Sequence, residues 1–565
     1  MPAGGPTGGH VLRAAIRDRR RGVVTASLLG MGHQTGEALV PVVVGVIIDE
    51  AVATGSSGTL VRLLVLLAVI FLVLSTCYRV GARITEDAGE RATHRLRLDL
   101  GARVLDPRGG ADTGRLPGAL TSIATNDARR VGAAVTALSY GASAVAALAV
   151  SSVLLLRISV PLGLLVLLGI PPLLWLGHRI SGPLERRSET EQERAAHASG
   201  VAADLVMGLR VLKGMGAEPA AVSRYRRTSQ ESLSAALRAA RSRAGHEGAV
   251  LALTGVFIAV IALVGAYLAM RGTISVGELV AAVGLAQFLL GPFQLLTYVN
   301  AELAQGRASA RRIAEVLASP AAVEPGGAAL PEPVAGRLRL RGVTLGALRG
   351  VDLDLAPGSL TGVVTGDPAA AHDLLRCLAR EADPTAGVIE LDGVPLTGPA
   401  PDDVRRALLV APHDADLFET SLLENVRGRA DTDPAAVEPA LTASAADDVA
   451  RLLPDGADTV LAERGRSLSG GQRQRVALAR ALAADRPVLV LHDPTTAVDT
   501  VTESRIAARL REARRGRTTV LVTTSPALLA VTDRVVVLDG GTVTAVGRHA
   551  ELVAGDADYR AAVLA

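Results

Sequence analysis

Residues 467–482 read SLSGGQRQRVALARAL, and residues 486–499 read RPVLVLHDPTTAVD. The first stretch places a serine and two glycines ahead of a basic and apolar run, which is typical of a tight turn that starts a helix. Short apolar runs of strand character alternate with helical patterns around it; they read LTGVV, ALLVA, VLVLH, TTVLVTT and RVVVLDGGTVTAVG. This alternation predicts an α/β domain with a largely parallel sheet over residues 338–565.

A Pro-, Gly- and Ala-rich stretch at 319–337, SPAAVEPGGAALPEPVAGR, precedes this domain. Its composition is typical of an exposed linker between independently folded units. Before it, residues 1–318 contain six apolar runs, each near the roughly 20 residues that a membrane-spanning helix needs. The runs cover 23–48, 59–80, 133–156, 159–178, 249–270 and 276–298. The sequence therefore predicts an α-helical membrane domain of six helices, with long cytoplasmic extensions, followed by the α/β domain.

Arginine placement predicts the orientation of these helices. Arginines cluster ahead of the first run, and the long connections 80–132 and 180–247 are arginine-rich, whereas the short connections are nearly uncharged. Because basic connections tend to stay on the cytoplasmic side, we expect the amino terminus, both long connections and the α/β domain in the cytoplasm. No small-residue cleavage site follows the first run, so it is not expected to be a cleaved signal peptide.

The composition argues against several other classes of protein. Of the 565 residues, 49% are hydrophobic and 20% are charged, which does not fit an ordinary soluble or disordered chain. The formal net charge of +3 is too small to suggest a nucleic-acid binder. Cys77 and Cys377 are the two cysteines of the sequence, so neither a disulfide framework nor a cysteine-based zinc site is expected within the chain.

The two stretches quoted first resemble the signature motif and Walker B region of ATP-binding cassette (ABC) transporters. Residues 408–426, LLVAPHDADLFETSLLENV, resemble the family's Q-loop, AERG at 462–465 the segment before the signature, and VGRHAEL at 546–552 the cassette end. Residues 113–127 and 208–225 resemble the two intracellular loops of exporter-type half-transporters. The resemblance covers nearly the whole chain and implies an ATP-driven exporter whose α/β part is a nucleotide-binding domain of the ABC ATPase fold.

The resemblance also implies a role for the signature residues at a neighbour's nucleotide. In the family, two cassettes face each other, and each ATP lies between the phosphate loop of one subunit and the signature of the other. The signature residues here are Leu468, Ser469, Gly470, Gly471 and Gln472. Successive glycine N–H groups at a helix start suit an anion. ATP and Mg²⁺ are therefore expected at a composite site that a partner subunit completes.

The chain's own phosphate loop departs from the family pattern GxxxxGK[ST]. Aligned by the strand before it and the LLR after it, the segment begins at Gly366 and reads GDPAAAHD. Ala371, His372 and Asp373 stand where the family has its second glycine, the lysine that neutralises phosphate and the hydroxyl that holds Mg²⁺. Lys213 is the single lysine of the sequence and lies outside the cassette, so no other alignment supplies the missing lysine.

Four further cassette positions are altered. His413 takes the place of the Q-loop glutamine and Thr524 that of the switch histidine. His492 and Asp493 replace the Walker B aspartate and the catalytic glutamate. No aromatic residue lies between positions 298 and 418, so none can stack on adenine ahead of the loop. We predict that this cassette binds ATP weakly or not at all and that its own site holds no catalytic residue.

The substituted positions are expected to converge in one pocket if the fold is that of the family. They are His372, His413, His492, Asp373 and Asp493. These residue types bind transition metals or form a pH-sensitive polar cluster. Hydrogen-bonded packing is the commoner outcome for such a cluster, and we predict no metal site.

Polar residues inside the apolar runs are candidate cargo contacts, because polar groups are costly in lipid. The candidates are His33, Gln34 and Glu37 in the first run and Gln287 and Gln294 in the sixth. Helix packing is the alternative interpretation of the first group, since Gly32 and Gly36 have the GxxxG spacing that lets two backbones approach closely.

These patterns predict one half of a heterodimeric exporter in a bacterial inner membrane, which moves a small molecule, natural product or peptide out of the cell. A partner half-transporter would supply the intact phosphate loop. Loop segments around 106–120 and 214–222 would carry cassette closure to the membrane helices. The alternative is a catalytically inactive cassette with a structural or regulatory role. The six apolar runs argue against a soluble cassette that acts on nucleic acid.

Overall fold

The chain divides into two compact units. The computed structural model describes residues 6–112, 114–413, 416–428 and 432–564. Unit 1 comprises Met1–Leu100 and Pro117–Ala318, and unit 2 comprises Gly101–Leu116 and Ser319–Ala565. The tip of the first long connection thus belongs to the same compact unit as the cassette.

Unit 1 is helical. Its helices are α1 (Gly8–Asp18), α2 (Arg20–Val46), α3 (Ser57–Val104), α4 (Pro117–Ser122), α5 (Ala128–Ile158), α6 (Val160–Met207), α7 (Leu209–Met215), α8 (Glu218–Met270) and α9 (Val276–Leu317). Two π-helical turns, Ile47–Val52 and Ile123–Asp127, extend α2 and precede α5. Small residues allow close crossings: a Cβ atom on Gly89 of α3 would lie 3.2 Å from the carbonyl oxygen of Gly132 on α5.

Helices occupy all six predicted apolar runs, but the count of six membrane spans is not confirmed. Among the described residues, four helices are long and apolar enough to cross a membrane, and five if one bent pair counts as a span. The four are Ser57–Val104, Gly118–Ile158, Glu218–Met270 and Val276–Leu317, and the bent pair is Thr190–Met207 with Leu209–Met215. The shortfall has a physical reason, since α2 carries polar residues in its middle and the apolar part of α6, Val160–Leu176, is short.

Unit 2 is built on two sheets. Their strands are β1 (Leu338–Leu345), β2 (Leu348–Leu355), β3 (Leu360–Val364), β4 (Ala386–Leu391), β5 (Val394–Pro395), β6 (Leu408–Ala411), β7 (Val488–His492), β8 (Thr518–Val522), β9 (Arg534–Asp539) and β10 (Thr542–Gly547). The larger sheet has the order β10-β9-β3-β8-β7-β6 and is parallel except for the β9–β10 hairpin. This confirms the predicted, largely parallel sheet.

The smaller sheet, of order β2-β1-β4-β5, is antiparallel and was absent from the sequence prediction. Helices cover the sheets: α10 (Pro368–Leu378), α11 (Pro401–Ala407), α12 (Leu422–Arg427), α13 (Pro434–Ala443), α14 (Ala446–Leu452), α15 (Gly470–Ala483), α16 (Thr500–Ala513), α17 (Pro526–Ala530), α18 (His549–Gly555) and α19 (Ala557–Leu564). Every residue of β3 and β8 is buried. The central strands are therefore covered on both faces, as in other parallel sheets.

Candidate functional site

The altered cassette positions lie at one edge of the larger sheet. Strands β3, β8, β7 and β6 are adjacent and parallel, so their carboxyl ends meet at this edge. The segment that enters α10 follows β3, His413 follows β6, Asp493 follows β7 and Thr524 follows β8. Such an edge is where open α/β sheets bind ligands.

The segment at the position of the phosphate loop is helical from Pro368 onward. The Asp367 side chain caps this helix, because its Oδ1 accepts a hydrogen bond of 2.9 Å from the N–H of Ala369. The Asp367 carbonyl accepts another, of 3.1 Å, from the N–H of Ala371. Pro368 has no N–H to offer. The chain itself therefore engages backbone donors that a phosphate loop presents to its ligand.

Asp373 lies apart from the histidines, so the prediction that it joins them is wrong. Its side chain is buried, and its Oδ2 accepts a hydrogen bond of 2.9 Å from the N–H of Ala347, in the turn between β1 and β2. Arg376 approaches the same carboxylate at 3.4 Å. Consecutive helical residues point about 100° apart, which explains why the neighbouring His372 is exposed.

The remaining predicted residues do come close to one another. The rings of His413 and His492 stand edge to face with their centroids 5.0 Å apart. The Nε2 of His492 lies 3.8 Å from the carboxylate of Asp493. Burial holds the pKa of His492 below its usual value; Asp493 opposes this shift, whereas His413 and His372 add to it. The His492 ring therefore favours its neutral form.

No metal arrangement is found within the described parts of the chain. There, no group of three or more His, Cys, Asp or Glu side chains could hold a metal ion. The predicted absence of a metal remains a prediction. The altered Ala371 is buried inside α10, and Thr524 is exposed just beyond β8.

A cavity of about 390 Å³ opens beside the two histidines. Its wall includes His413, His492, Phe418, Gln474 and Arg480. The Arg480 guanidinium lies 6.0 Å from the centre of the exposed Phe418 ring. The cavity therefore joins the sheet edge to α15, the helix that follows the signature turn.

The signature turn has the geometry of a capped helix start. Ser469 directly precedes α15, and its Oγ accepts a hydrogen bond of 3.3 Å from the N–H of Gln472. The Gln472 side chain returns the contact, since its Oε1 accepts from the N–H of Ser469 at 2.8 Å. Leu468 is buried and Ser469 is exposed. The turn is thus anchored on one side and open on the other.

Two residues tie this turn to the segment after β7. A Cβ atom on Gly471 would lie 2.5 Å from the carbonyl oxygen of Ala497, so only glycine fits there. Gln474 donates to the Thr496 hydroxyl at 2.7 Å and accepts from the N–H of Ala497 at 2.8 Å. Gln474 was not among the predicted site residues. Its spacing was a usable signal, because residues three and four positions beyond the glycines share their helix face.

A cavity of about 230 Å³, with a few polar side chains in a mostly apolar lining, lies in unit 1 between α2, α3 and α5. It contains three of the predicted cargo residues, His33, Gln34 and Glu37, together with Tyr78 and Tyr140. Gln287 and Gln294 do not line it and are exposed on α9. The structure thus brings together the polar residues of the first run but not those of the sixth.

His33 links two walls of this cavity. Its Nδ1 lies 2.9 Å from the carbonyl oxygen of Leu74 on α3, and because a carbonyl can only accept, Nδ1 is the donor. Its Nε2 lies 3.5 Å from the carboxylate of Glu37. A Cβ atom on Gly36 would lie 3.0 Å from the Cβ of Leu74. Close helix packing and a cavity that contains polar side chains therefore coexist on this face of α2.

Comparison with known proteins gives the family. Residues 23–293 match the family described as ABC transporter transmembrane region, and residues 348–496 match the family described as ABC transporter. This chain belongs to the ABC transporter family. The first match covers most of unit 1, and the second contains the signature turn and the altered sheet edge.

Named relatives of this ABC transporter are exporters. It is 31% identical to the ATP-dependent lipid A-core flippase of Thiobacillus denitrificans over 407 residues, 70% of each chain. It is 32% identical to a multidrug efflux ATP-binding/permease protein of Mycobacterium bovis over 542 residues, which is 93% of this chain and 45% of that protein. The solved structure of a bacterial Atm1-family ABC exporter with ATP bound matches with a TM-score of 0.76 and 26% identity, covering 97% of this chain and 98% of the other.

These likenesses confirm the coarser predictions. The protein is an ABC exporter with a helical membrane domain and an ABC nucleotide-binding domain, and it resides in a membrane. Membership of the family implies ATP-driven transport, with ATP and Mg²⁺ as the general cofactors.

Proposed function

We propose that this ABC transporter chain is the degenerate-site half of a heterodimeric exporter in a bacterial inner membrane. Its partner half-transporter supplies the phosphate loop, the catalytic glutamate and the switch histidine. This chain supplies Leu468, Ser469, Gly470, Gly471 and Gln472 to the same composite site. Hydrolysis of ATP there moves a small molecule, natural product or peptide out of the cell, while the lone chain has almost no ATPase activity.

The observation that carries this proposal is the helix that begins at Pro368. A phosphate loop binds by pointing several free backbone N–H groups at one anion. In this chain the N–H groups of Ala369 and Ala371 are already bonded to Asp367. The Asp367 carboxylate also places negative charge where phosphate would approach. Loss of one charged hydrogen bond costs about 1.5 to 3 kcal/mol, so several such losses are expected to weaken ATP binding by about two orders of magnitude or more.

The intact signature turn supports the other half of the proposal. Ser469 is exposed, with its N–H and Oγ held in place by Gln472. Gly471 is kept in contact with the Ala497 carbonyl, where no side chain fits. A helix start of this kind is suited to a phosphate that another subunit presents. Damage confined to one half of the nucleotide-binding machinery favours a heterodimer over two copies of this chain.

Loop segments around 106–120 and 214–222 transmit motion of the cassettes to the membrane helices in this proposal. The first segment is bound tightly within unit 2. Arg405 donates to the carbonyl oxygen of Pro107 at 2.7 Å, and the Arg108 carbonyl accepts from the N–H of Ala322 at 3.0 Å. Such contacts make the loop follow the cassette as a rigid lever. Around the second segment, Met215 and Val222 expose apolar surface.

The cavity beside α2 is the proposed cargo contact of this chain. Glu37 and His33 supply a carboxylate and a titratable ring in a largely apolar domain, where such groups are usually functional. A polar or cationic group of the cargo fits this lining. Gln287 and Gln294, exposed on α9, are proposed to face cargo only in the assembled dimer.

The test is ATPase activity of the lone chain and of a complex. A half-transporter with an intact GxxxxGK[ST] motif, sought first in the adjacent open reading frame, is co-expressed and co-purified with this chain. We expect turnover only in the complex. Alanine in place of the partner's phosphate-loop lysine abolishes it, and Ser469→Ala in this chain lowers it by about 10²-fold, the cost of removing one transition-state donor.

Two results would contradict the proposal. Turnover by the purified lone chain at the rate of ordinary exporters would show that its own site is competent. If the complex is stable but Ser469→Ala does not change its ATPase activity, this cassette has a structural or regulatory role instead. Vesicle transport of cargo by the active complex, with Glu37→Gln compared with Gln287→Ala, tests the cargo contact separately.

A further inference from the structure

An arginine cluster marks the junction between α1 and α2. Four of five consecutive residues are arginine, namely Arg17, Arg19, Arg20 and Arg21. The chain turns at Arg19, which separates the two helices. The family's transmembrane region begins at residue 23, directly after the cluster. The four arginines therefore directly precede the apolar part of α2.

The cluster forms one wall of a cleft of about 420 Å³. The other wall is α3, through Asp87 and Ala88. Gly22 holds the two walls close, since a Cβ atom there would lie 3.6 Å from the Cβ of Ala88. The lining is mostly polar and is not explained by ATP binding, by cargo or by helix packing.

Positive charge in this cleft lacks compensation. Within the described parts of the chain, none of the four arginines has a hydrogen bond from its side chain or an ion pair with a carboxylate. Two carboxylates, Asp18 and Asp87, face them. Asp87 already accepts a hydrogen bond from Arg91 at 2.7 Å. Like charges held together repel each other, so a bound anion would lower the energy of the site.

We infer that this cleft binds the phosphate group of an anionic membrane phospholipid. Guanidinium groups bind phosphate through paired N–H donors. Basic clusters beside a membrane helix attract anionic lipid head groups. The source is the membrane because exposed apolar side chains follow the cluster directly on α2: Val24 is 58% exposed and Leu28 is 63% exposed. Acyl chains can lie along that helix while the head group occupies the cleft.

Native mass spectrometry of the full-length, delipidated protein in detergent tests this inference. The probes are phosphatidylglycerol, phosphatidylcholine and inorganic phosphate. Wild-type protein is expected to bind phosphatidylglycerol at least about tenfold more tightly than phosphatidylcholine, and the variant R19Q/R20Q/R21Q to lose about tenfold or more of that affinity. Excess inorganic phosphate is expected to leave the bound lipid in place.

Matched variants distinguish binding in the cleft from a general effect of positive charge. A second exposed group, Arg224, Arg226 and Arg227 on α8, can lose the same number of charges and does not line this cleft. The variant R224Q/R226Q/R227Q should retain phosphatidylglycerol binding within about twofold. If the first triple variant does not fold, R19K/R20K/R21K, which keeps the charge, and the single variant R20Q provide the comparison. In that case R20Q should bind less lipid than R19K/R20K/R21K.

Three outcomes would overturn the inference. Equal binding of phosphatidylglycerol and phosphatidylcholine would remove the anionic preference. Equal losses in the α1–α2 and α8 variants would reduce the effect to net charge. Displacement of the lipid by inorganic phosphate would make the cleft a site for free anions.

Discussion

The carboxylate of Asp373 accepts a hydrogen bond from the backbone N–H of Ala347 at 2.9 Å. The residue that takes the place of the family's Mg²⁺-binding hydroxyl is therefore turned toward a backbone donor in the smaller sheet. Together with the helix that begins at Pro368, this contact changes what a repair of the motif can achieve.

The variant A371G/H372K/D373T restores the letters of the phosphate-loop motif but not its geometry. We expect its ATP affinity in the lone chain to stay weak, because the Asp367 cap and Pro368 still start the helix early. We also expect a loss of about 1 to 3 kcal/mol of folding stability, since the Ala347 N–H loses its acceptor. Equilibrium ATP binding and thermal unfolding measure the two effects.

A second variant supplies the comparison for this experiment. When Asp367 and Pro368 are also replaced by serine and glycine, the first turn of the helix is free to open, and tighter ATP binding is expected. Strong binding by the three-residue variant alone would show that the early helix is not the obstacle.

Gly471→Ala probes the contact between the signature turn and the segment after β7. The new methyl group would lie 2.5 Å from the Ala497 carbonyl oxygen, a backbone atom that cannot move aside cheaply. We expect a stability loss of about 1 to 3 kcal/mol, as for other overpacked sites, and a lower ATPase rate in the complex. Gly555→Ala is the matched control, because no atom lies within 4 Å of its Cβ position. Equal behaviour of the two variants would contradict the close contact.

His492 predicts a direction for the pH dependence of stability. Burial lowers its pKa in the folded protein below the value of 6.5, so the unfolded chain binds the extra proton first as the pH falls. The free energy of unfolding therefore falls as the pH drops below 6.5, and His492 does not lower it at higher pH. His492→Gln is expected to flatten the fall in melting temperature between neutral and mildly acidic pH.

Two histidines serve as references for the titration experiment. His549 also has a pKa lowered by burial, so some pH dependence of the same sign remains in His492→Gln. His197 is exposed on α6, and its replacement by glutamine should leave the slope as in the wild-type protein. A steeper slope in His492→Gln would reverse the sign argued here.

The parallel sheet was predictable because β3, β7 and β8 are short apolar runs. Such a run indicates a buried strand from the local sequence alone. The closeness of His413, His492 and Asp493 was expected only from the family resemblance. The contact of Asp373 with Ala347 was not predictable, since it depends on where the β1–β2 turn packs against α10. The smaller sheet was missed for a related reason, because its first two strands mix exposed and buried residues and the pairing of β1 with β4 joins distant segments.

The membrane half shows the same limit. Polar residues on α2 identified a functional candidate, but only the packing of α3 and α5 shows that His33 and Glu37 share a cavity while Gln287 does not. The arginines at the α1–α2 junction predicted orientation. Their cleft depends on the close approach of Gly22 to Ala88, which the local sequence does not predict.

Arg380 connects the linker, residues 319–337, to the cassette, and its replacement measures how much stability this connection provides. Its side chain is 1% exposed and donates to the carbonyl oxygens of Pro399, Thr397 at 3.1 Å and Glu324 at 2.6 Å. Arg380→Ala removes the donor from these three carbonyl groups, of which the one on Pro399 is buried, and opens a cavity. Since the loss of a charged hydrogen bond alone costs about 1.5 to 3 kcal/mol, we expect a stability loss of at least that size, seen as a lower unfolding temperature.

Limited proteolysis distinguishes this effect from a general loss of structure. The Glu324 carbonyl belongs to the linker, so Arg380→Ala should speed cleavage within 319–337 before the rest of the cassette is cut. Arg406→Ala is the matched control, because Arg406 is exposed and its ion pair among the described residues is with Asp403 on its own helix, an ion pair of small expected value. If both variants unfold and are cleaved alike, the buried guanidinium does not hold the linker; faster cleavage in Arg380→Ala alone is the expected result and shows that this side chain contributes to holding it.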